Sequence, residues 1–140
     1  MNRLILACAL VFFFVSGTVS ANEKLIKAIE KRQNDCIEKD PTTAGMIKCA
    51  DAAYKEWDRE MNSAYKKLLS LLDEKEREDL KQSQRAWLKF RDLEFKNINN
   101  VYTKMDGTMY LPMHTESETR IVRERALQLI KYCELLSDGG

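Results

Sequence analysis

The sequence predicts an all-α fold, a small bundle of about four helices with an irregular or hairpin insertion before the last one. Three observations carry that expectation. Apolar residues recur at intervals of three and four along Met46, Ala50, Ala53, Trp57, Met61, Ala64, Leu68 and Leu72, a stripe that only a long amphipathic helix provides. Helix-start residues stand ahead of three runs: Thr43, then Asp73 with Glu76, then Thr115 with Glu118. Finally, no proline or glycine interrupts the stretch from Asp73 to Asp106.

Residues 1–21 read as a secretory signal peptide. Arg3 precedes an apolar run from Leu4 to Val15, and Val19-Ser20-Ala21 closes it with a small-x-small cleavage site. The run is far short of the roughly 20 residues that cross a bilayer, so no membrane anchor is expected after cleavage. Leu6-Ala7-Cys8 resembles a lipidation box, but Cys8 sits near the start of the apolar run instead of after it. Loss of Arg3 with the leader takes the formal charge from +1 to zero, which gives a nucleic-acid partner no support. Residues 22–140 are of a size for one domain.

The first helix is expected from Asn22 to about Lys39, with Leu25, Ile26 and Ile29 on its apolar side and Pro41 beyond its end. Cys36 and Cys49 bracket the turn Asp40-Pro41-Thr42-Thr43, and a bridge there would contribute about 3 kcal/mol by loop entropy. Cys133 is left over, either buried as a small apolar side chain or bonded to a second chain. The second helix carries the long stripe, bordered by Asp58, Asn62 and Tyr65, with Glu56 as an ordinary solvated position. The third starts in the acidic run Asp73 to Asp79 and aligns Leu80, Gln84, Trp87, Arg91, Glu94 and Ile98, widened by Phe90 and Leu93. The last runs from Thr115 to about Leu136 through Val122, Ala126, Leu129 and Cys133.

Two aromatic anchors suggest how the helices meet. If the second and third pack antiparallel through Trp57 and Trp87, with Phe90 completing an aromatic core, then Asp58, Asn62 and Tyr65 face Gln84, Arg85 and Arg91 as a structural polar network. Between Asn99 and Thr115 the chain changes character. Tyr102, Met105, Met109, Tyr110 and His114 surround Asp106-Gly107, a dipeptide suited to a tight turn. The segment is either a lid on the open end of the helices or an exposed partner-binding patch.

Little here supports chemistry. His114 is the one histidine, without metal-ligand spacing around it, and no nucleophile elbow or phosphate-binding loop is present. No catalytic residue, cofactor or metal is expected. A protein partner is the remaining class.

Cys36, Thr43, Met46, Cys49, Ala53-Tyr54, Asp58-Arg59-Glu60-Met61-Asn62, Tyr65, Gln84-Arg85-Ala86-Trp87, Phe90-Arg91-Asp92 and Arg123-Glu124-Arg125 together resemble the LprI-type lysozyme-inhibitor domain. The resemblance implies a small exported helical protein that binds another protein, with lysozyme as the founding partner. It also implies a departure: Phe95 and Ser117 stand where relatives often carry a second cysteine pair, leaving the Asn99 to Thr115 segment unstapled. On this reading the acidic run Asp73 to Asp79 would steer a basic lysozyme, and His114 or Lys104 would donate into its cleft of carboxylates. The alternative is a periplasmic structural or envelope-stress interaction protein without inhibitory activity.

Overall fold

A computed structural model describes residues 21–138, so the predicted leader, apart from its final residue, lies outside the described residues. Four helices follow one another: α1 (Ala21–Lys39), α2 (Thr43–Leu71), α3 (Glu74–Tyr102) and α4 (Tyr110–Asp138). Among the described residues there is no strand, so the insertion takes its irregular form, a turn over 103–109 with Gly107 at φ 104°. That positive φ suits a residue without a Cβ.

The helix starts follow local chemistry with two shifts from expectation. The cap of α2 is Thr42, one residue before Thr43: its hydroxyl accepts from the Gly45 N–H at 3.0 Å and donates to the Asp40 carboxylate at 2.6 Å. Gly45 is needed here because a Cβ would lie 2.3 Å from the Asp40 carbonyl oxygen. Asp73 and Glu76 form the expected capping box of α3. α4 begins at Tyr110, five residues ahead of Thr115. The Thr115 and Ser117 hydroxyls donate back to the Leu111 and Met113 carbonyls, the habit of such residues inside a helix. Pro112 is tolerated because it sits in the first turn, where a missing N–H costs nothing.

The closest pair is α2 and α4, and they run parallel. Thr119 Oγ1 donates to the Ala50 carbonyl at 3.3 Å and Cys133 Sγ to that of Ala64 at 3.4 Å, and both pairs are 69 residues apart. A constant offset defines parallel register, and it sets Trp57 opposite Ala126. Small residues at Ala50, Ala53, Ala64 and Ala126 let the axes approach, while Trp57, Met61, Leu68, Val122 and Leu129 fill the seam, each at most 2% exposed.

α1 and α3 flank this pair, both antiparallel to it. α1 joins α2 through the Cys36–Cys49 disulfide (Cα–Cα 5.7 Å) and meets α4 through Asn22 to Glu134 at 2.8 Å and Gln33 to Glu116 at 2.7 Å. α3 lies against α4 through Tyr102 and Ser117, whose hydroxyls are 2.9 Å apart. It reaches α2 through longer side chains, with the Tyr54 and Phe95 ring centroids 6.3 Å apart.

The expected pairing of α2 with α3 through two indoles is therefore corrected. Trp57 is fully buried against α4, with the Arg123 guanidinium 5.6 Å from its ring, whereas Trp87 is half-buried under Arg125 at 5.9 Å. The small-residue stripe of α2 gives its closest approach to α4, and the bulkier α3 is held further off. Phe90 does not join an aromatic core: it is 52% exposed, and Leu93 56%, because both fall on the outer side of α3.

Substituting Ala126→Leu should overpack the α2–α4 seam and destabilise the protein by about 1–3 kcal/mol. Phe90→Ala should change stability by less than about 0.5 kcal/mol. Urea unfolding followed by circular dichroism measures both.

Candidate functional site

The parallel α2–α4 pair and the two antiparallel flankers give the bundle two unlike ends. One end gathers the start of α1, the α2–α3 turn and the end of α4. The other gathers the disulfide corner, the 103–109 turn and the start of α4. An α3 of 29 residues separates them by about 43 Å.

At the second end the helices frame a groove of about 710 Å³. α1 contributes Glu30, Gln33, Asn34 and Ile37; α2 contributes Met46 and Ala50; α4 contributes Met113, Glu116, Arg120 and Arg123. Its polar groups are mostly committed to one another. Arg123 binds Glu30 across the α1–α4 seam, Gln33 Nε2 donates to Glu116, Tyr102 bonds Ser117, and Thr119 bonds backbone. Of its apolar lining, Met109 is 62% exposed and Met113 47%, and Met105 and Leu111, near them in the chain, are 46% and 54% exposed.

The corner that shapes one wall is held electrostatically as well as covalently. Arg32 Nε donates to both Glu56 oxygens, at 3.1 and 3.2 Å, and this hydrogen bonding holds the Glu56 carboxyl below its ordinary range. Thr42 does the same to Asp40 through its hydroxyl and its N–H. Glu56 is thus not the solvated position that its spacing implied.

Beneath the groove, the expected polar network of Asp58, Asn62 and Tyr65 against Gln84, Arg85 and Arg91 is not assembled. Asn62 turns back to Asp58 on its own helix, at 2.7 Å to its carbonyl. Tyr65 packs against the apolar core. Arg85 binds Glu78 at 3.0 Å and Arg91 binds Asp92 at 2.7 Å, both within α3, and Arg91 also lies over the Trp87 and Phe95 rings. Only Gln84 is buried, and none of the three expected α2 residues bonds it: Arg125 Nε of α4 donates to Gln84 Oε1 at 3.0 Å, and Gln84 Nε2 donates to Met61 Sδ of α2 at 3.8 Å. Arg125 is itself 8% exposed, and burial lowers its proton affinity. Sequence reasoning looked for the arginine's partner on the neighbouring helix in the chain. The signal for Arg125 was its place one turn from Leu129, on the buried side of α4.

The candidate partner-binding residues divide. Met105 and Met109 are exposed at the turn, and Tyr110 is half-buried. Tyr102 is tied to Ser117, and its ring meets His114 edge-on with centroids 5.8 Å apart. These contacts fasten the segment that the missing cysteine pair would leave loose. His114 Nε2 is buried, 3.8 Å from Glu118 and without a hydrogen-bond partner among the described residues, while the side chain as a whole keeps about a quarter of its surface exposed. The acidic run Asp73 to Asp79 lies at the opposite end of the bundle from the turn. Cys133 is a free, buried thiol whose proton affinity is raised by burial.

Among the described residues no three potential ligands gather as a metal site, and no helix is long and apolar enough to cross a membrane. The fold is a disulfide-bridged helical bundle with a groove at one end. The lysozyme inhibitor LprI family matches residues 34–129, more than half of the chain, and the chain belongs to that family, a family of inhibitors and not of enzymes. Family membership and the disulfide are those of an exported protein. Among solved structures the chain is similar to an uncharacterized protein from Burkholderia thailandensis, at 32% identity and a TM-score of 0.72 over 78% of this chain. The chain spans 54%, about half, of that protein's length. No match was found among the curated proteins.

Arg32 with Glu56 and Thr42 with Asp40 make the corner sensitive to acid. Both carboxyls are held below their unfolded values, so their stabilisation is full above the ordinary carboxylate range and lost as pH falls through the folded values. Melting temperature should therefore drop between about pH 5 and pH 2. In Glu56→Gln part of that drop should vanish, as thermal unfolding across the pH series will show.

Proposed function

We propose that the protein is a periplasmic or secreted inhibitor of the lysozyme type, which binds its target through the end that carries the groove and the methionine-rich turn and so occludes the target's active site. One observation carries the reading: Met109 and Met113, which line the groove, stand about half exposed, and Met105 and Leu111 close to them in the chain are exposed to a similar degree. Exposed apolar surface concentrated in one place marks an interaction site. Methionine suits this role because its unbranched, polarizable side chain adapts to the surface it meets.

The rest of the bundle serves as a support. The disulfide and the Arg32–Glu56 pair hold one wall, and the Tyr102–Ser117 bond holds the other. A rigid frame lowers the ordering cost of binding. Family membership supports lysozyme as the target class, since glycosidase clefts present a carboxylate pair that a bound protein can cover. His114 Nε2 is buried and the acidic run is about one helix length from the contact end, whereas Lys104 of the turn is exposed, which supports apolar contact with Lys104 as the donor beside it. The alternative, a structural or envelope-stress interaction protein, would use the same end on a different partner.

A turbidity assay decides between them. Lysis of bacterial cell walls by c-type, g-type and i-type lysozymes should slow when the protein is in micromolar excess over at least one of them. The double substitution Met109→Asp with Met113→Asp should reverse that inhibition while moving stability by less than about 0.5 kcal/mol per site. Absence of inhibition across all three types removes the lysozyme reading.

A further inference from the structure

The groove wall that α1 supplies comes from the half of that helix which puts nothing into the core. Leu25, Ile26 and Ile29 of the first half pack in or against the core cluster, and Ile29 is the last buried residue of the helix. From Glu30 to Lys39 every side chain is exposed or half-buried, and the wall residues Glu30, Gln33, Asn34 and Ile37 all fall there. Among the described residues three polar bonds tie this half to the body: Glu30 to Arg123, Arg32 to Glu56 and Gln33 to Glu116. All three are partly exposed, where such bonds contribute little. The remaining tie is the Cys36–Cys49 bridge, which fastens the last turn of α1 to a buried position on α2.

We infer that this disulfide is a redox-sensitive latch on the groove: on reduction the segment from Glu30 to Lys39 opens and the wall is lost, while the α2–α4 seam stays closed. The inference rests on the reading above for its consequence, that binding at this end is redox-gated. The two sulfurs differ in access. Cys36 is half-buried, and Cys49 is 2% exposed. A thiolate of a dithiol reductant therefore attacks Cys36 Sγ; the S–S bond breaks, and Cys49 leaves as a thiolate and takes up a proton. The reductant's second thiol loses its proton, attacks its own partner sulfur in the mixed disulfide and displaces Cys36. The reductant ends as a disulfide, and Cys36 and Cys49 end as thiols. Cys133 takes no part, since it lies against Ala64, about 22 Å along α2 from Cys49. With the bridge open, the chain between the two cysteines is no longer a closed loop, and the opened segment gains the freedom that the bridge denied it.

Amide hydrogen exchange read by mass spectrometry tests this on residues 22–140, first oxidised and then held reduced by excess dithiothreitol. Exchange over residues 30–40 should quicken on the order of 100-fold on reduction, the factor that chain entropy gives a loop of this size. The segments around Trp57 and Ala126 should keep their protection. In the oxidised protein Glu56→Gln should quicken residues 30–40 by only about threefold, the size of one partly exposed ion pair. Iodoacetamide should label Cys49 in the reduced, folded protein and leave Cys133 unlabelled. Equal protection of residues 30–40 in both forms, or an unlabelled Cys49, would mean that packing holds the wall and would overturn the proposal. Loss of protection through Trp57 and Ala126 would overturn it too, because the bridge would then hold the whole fold. The readout contains no lysozyme, so a failure here is distinguishable from a failure of inhibition, which the turbidity assay reads.

Discussion

The contact between α2 and α4 is what the remaining structure depends on. Two helices of 29 residues can lie parallel in one chain only if a third of similar length returns between them, and α3, also 29 residues, is that return. In a regular four-helix bundle α2 and α4 would sit across a diagonal. Here the diagonal is the tightest seam, because alanines at 50, 53, 64 and 126 remove the side-chain bulk that would hold the axes apart. α1 and α3 then occupy the two grooves beside the pair. Each of Trp57, Met61, Leu68 and Leu129 in that seam is worth about 1.5–3 kcal/mol through burial, so the apolar term is concentrated between two helices.

α4 also organises the polar boundary. Arg123 lies over Trp57 and reaches Glu30 on α1, whereas Arg125 lies over Trp87 and reaches Gln84 and Ser83 on α3. Two arginines two residues apart thus clamp the flankers on opposite sides of one helix. The second clamp uses only neutral oxygens. That is consistent with its depth, since a guanidinium needs its donors satisfied when buried, and neutral partners satisfy them without burying a second charge.

Much of this was legible in the residues. The spacing of the α2 stripe gave the helix and its buried side, the Asp73-x-x-Glu76 pattern gave the start of α3, and the turn at Asp40 to Thr43 gave the disulfide pair. What was not legible was which stripe meets which. Periodicity reports the buried side of each helix, but it carries no information on partners, and adjacency along the chain favoured α3 over α4 for Trp57. Phe90 was misplaced for a related reason. Three residues from Trp87 it is close to the same side, yet α3 buries only a narrow edge, and Phe90 lies past it. At the groove end, the sequence located the apolar turn. It could not locate the groove, whose walls come from residues as far apart as Glu30 and Arg123.

The same arrangement explains why the groove and the apolar turn lie at one end. The parallel pair brings the starts of α2 and α4 together, and the antiparallel flankers bring the ends of α1 and α3 to them, so four termini converge there with a disulfide on one side and a turn on the other. The most direct measurement of this organisation is a NOESY spectrum of the folded protein. The account predicts cross-peaks from the Trp57 indole protons to the Ala126 methyl. Cross-peaks joining the Trp57 and Trp87 rings, with none from Trp57 to Ala126, would contradict it.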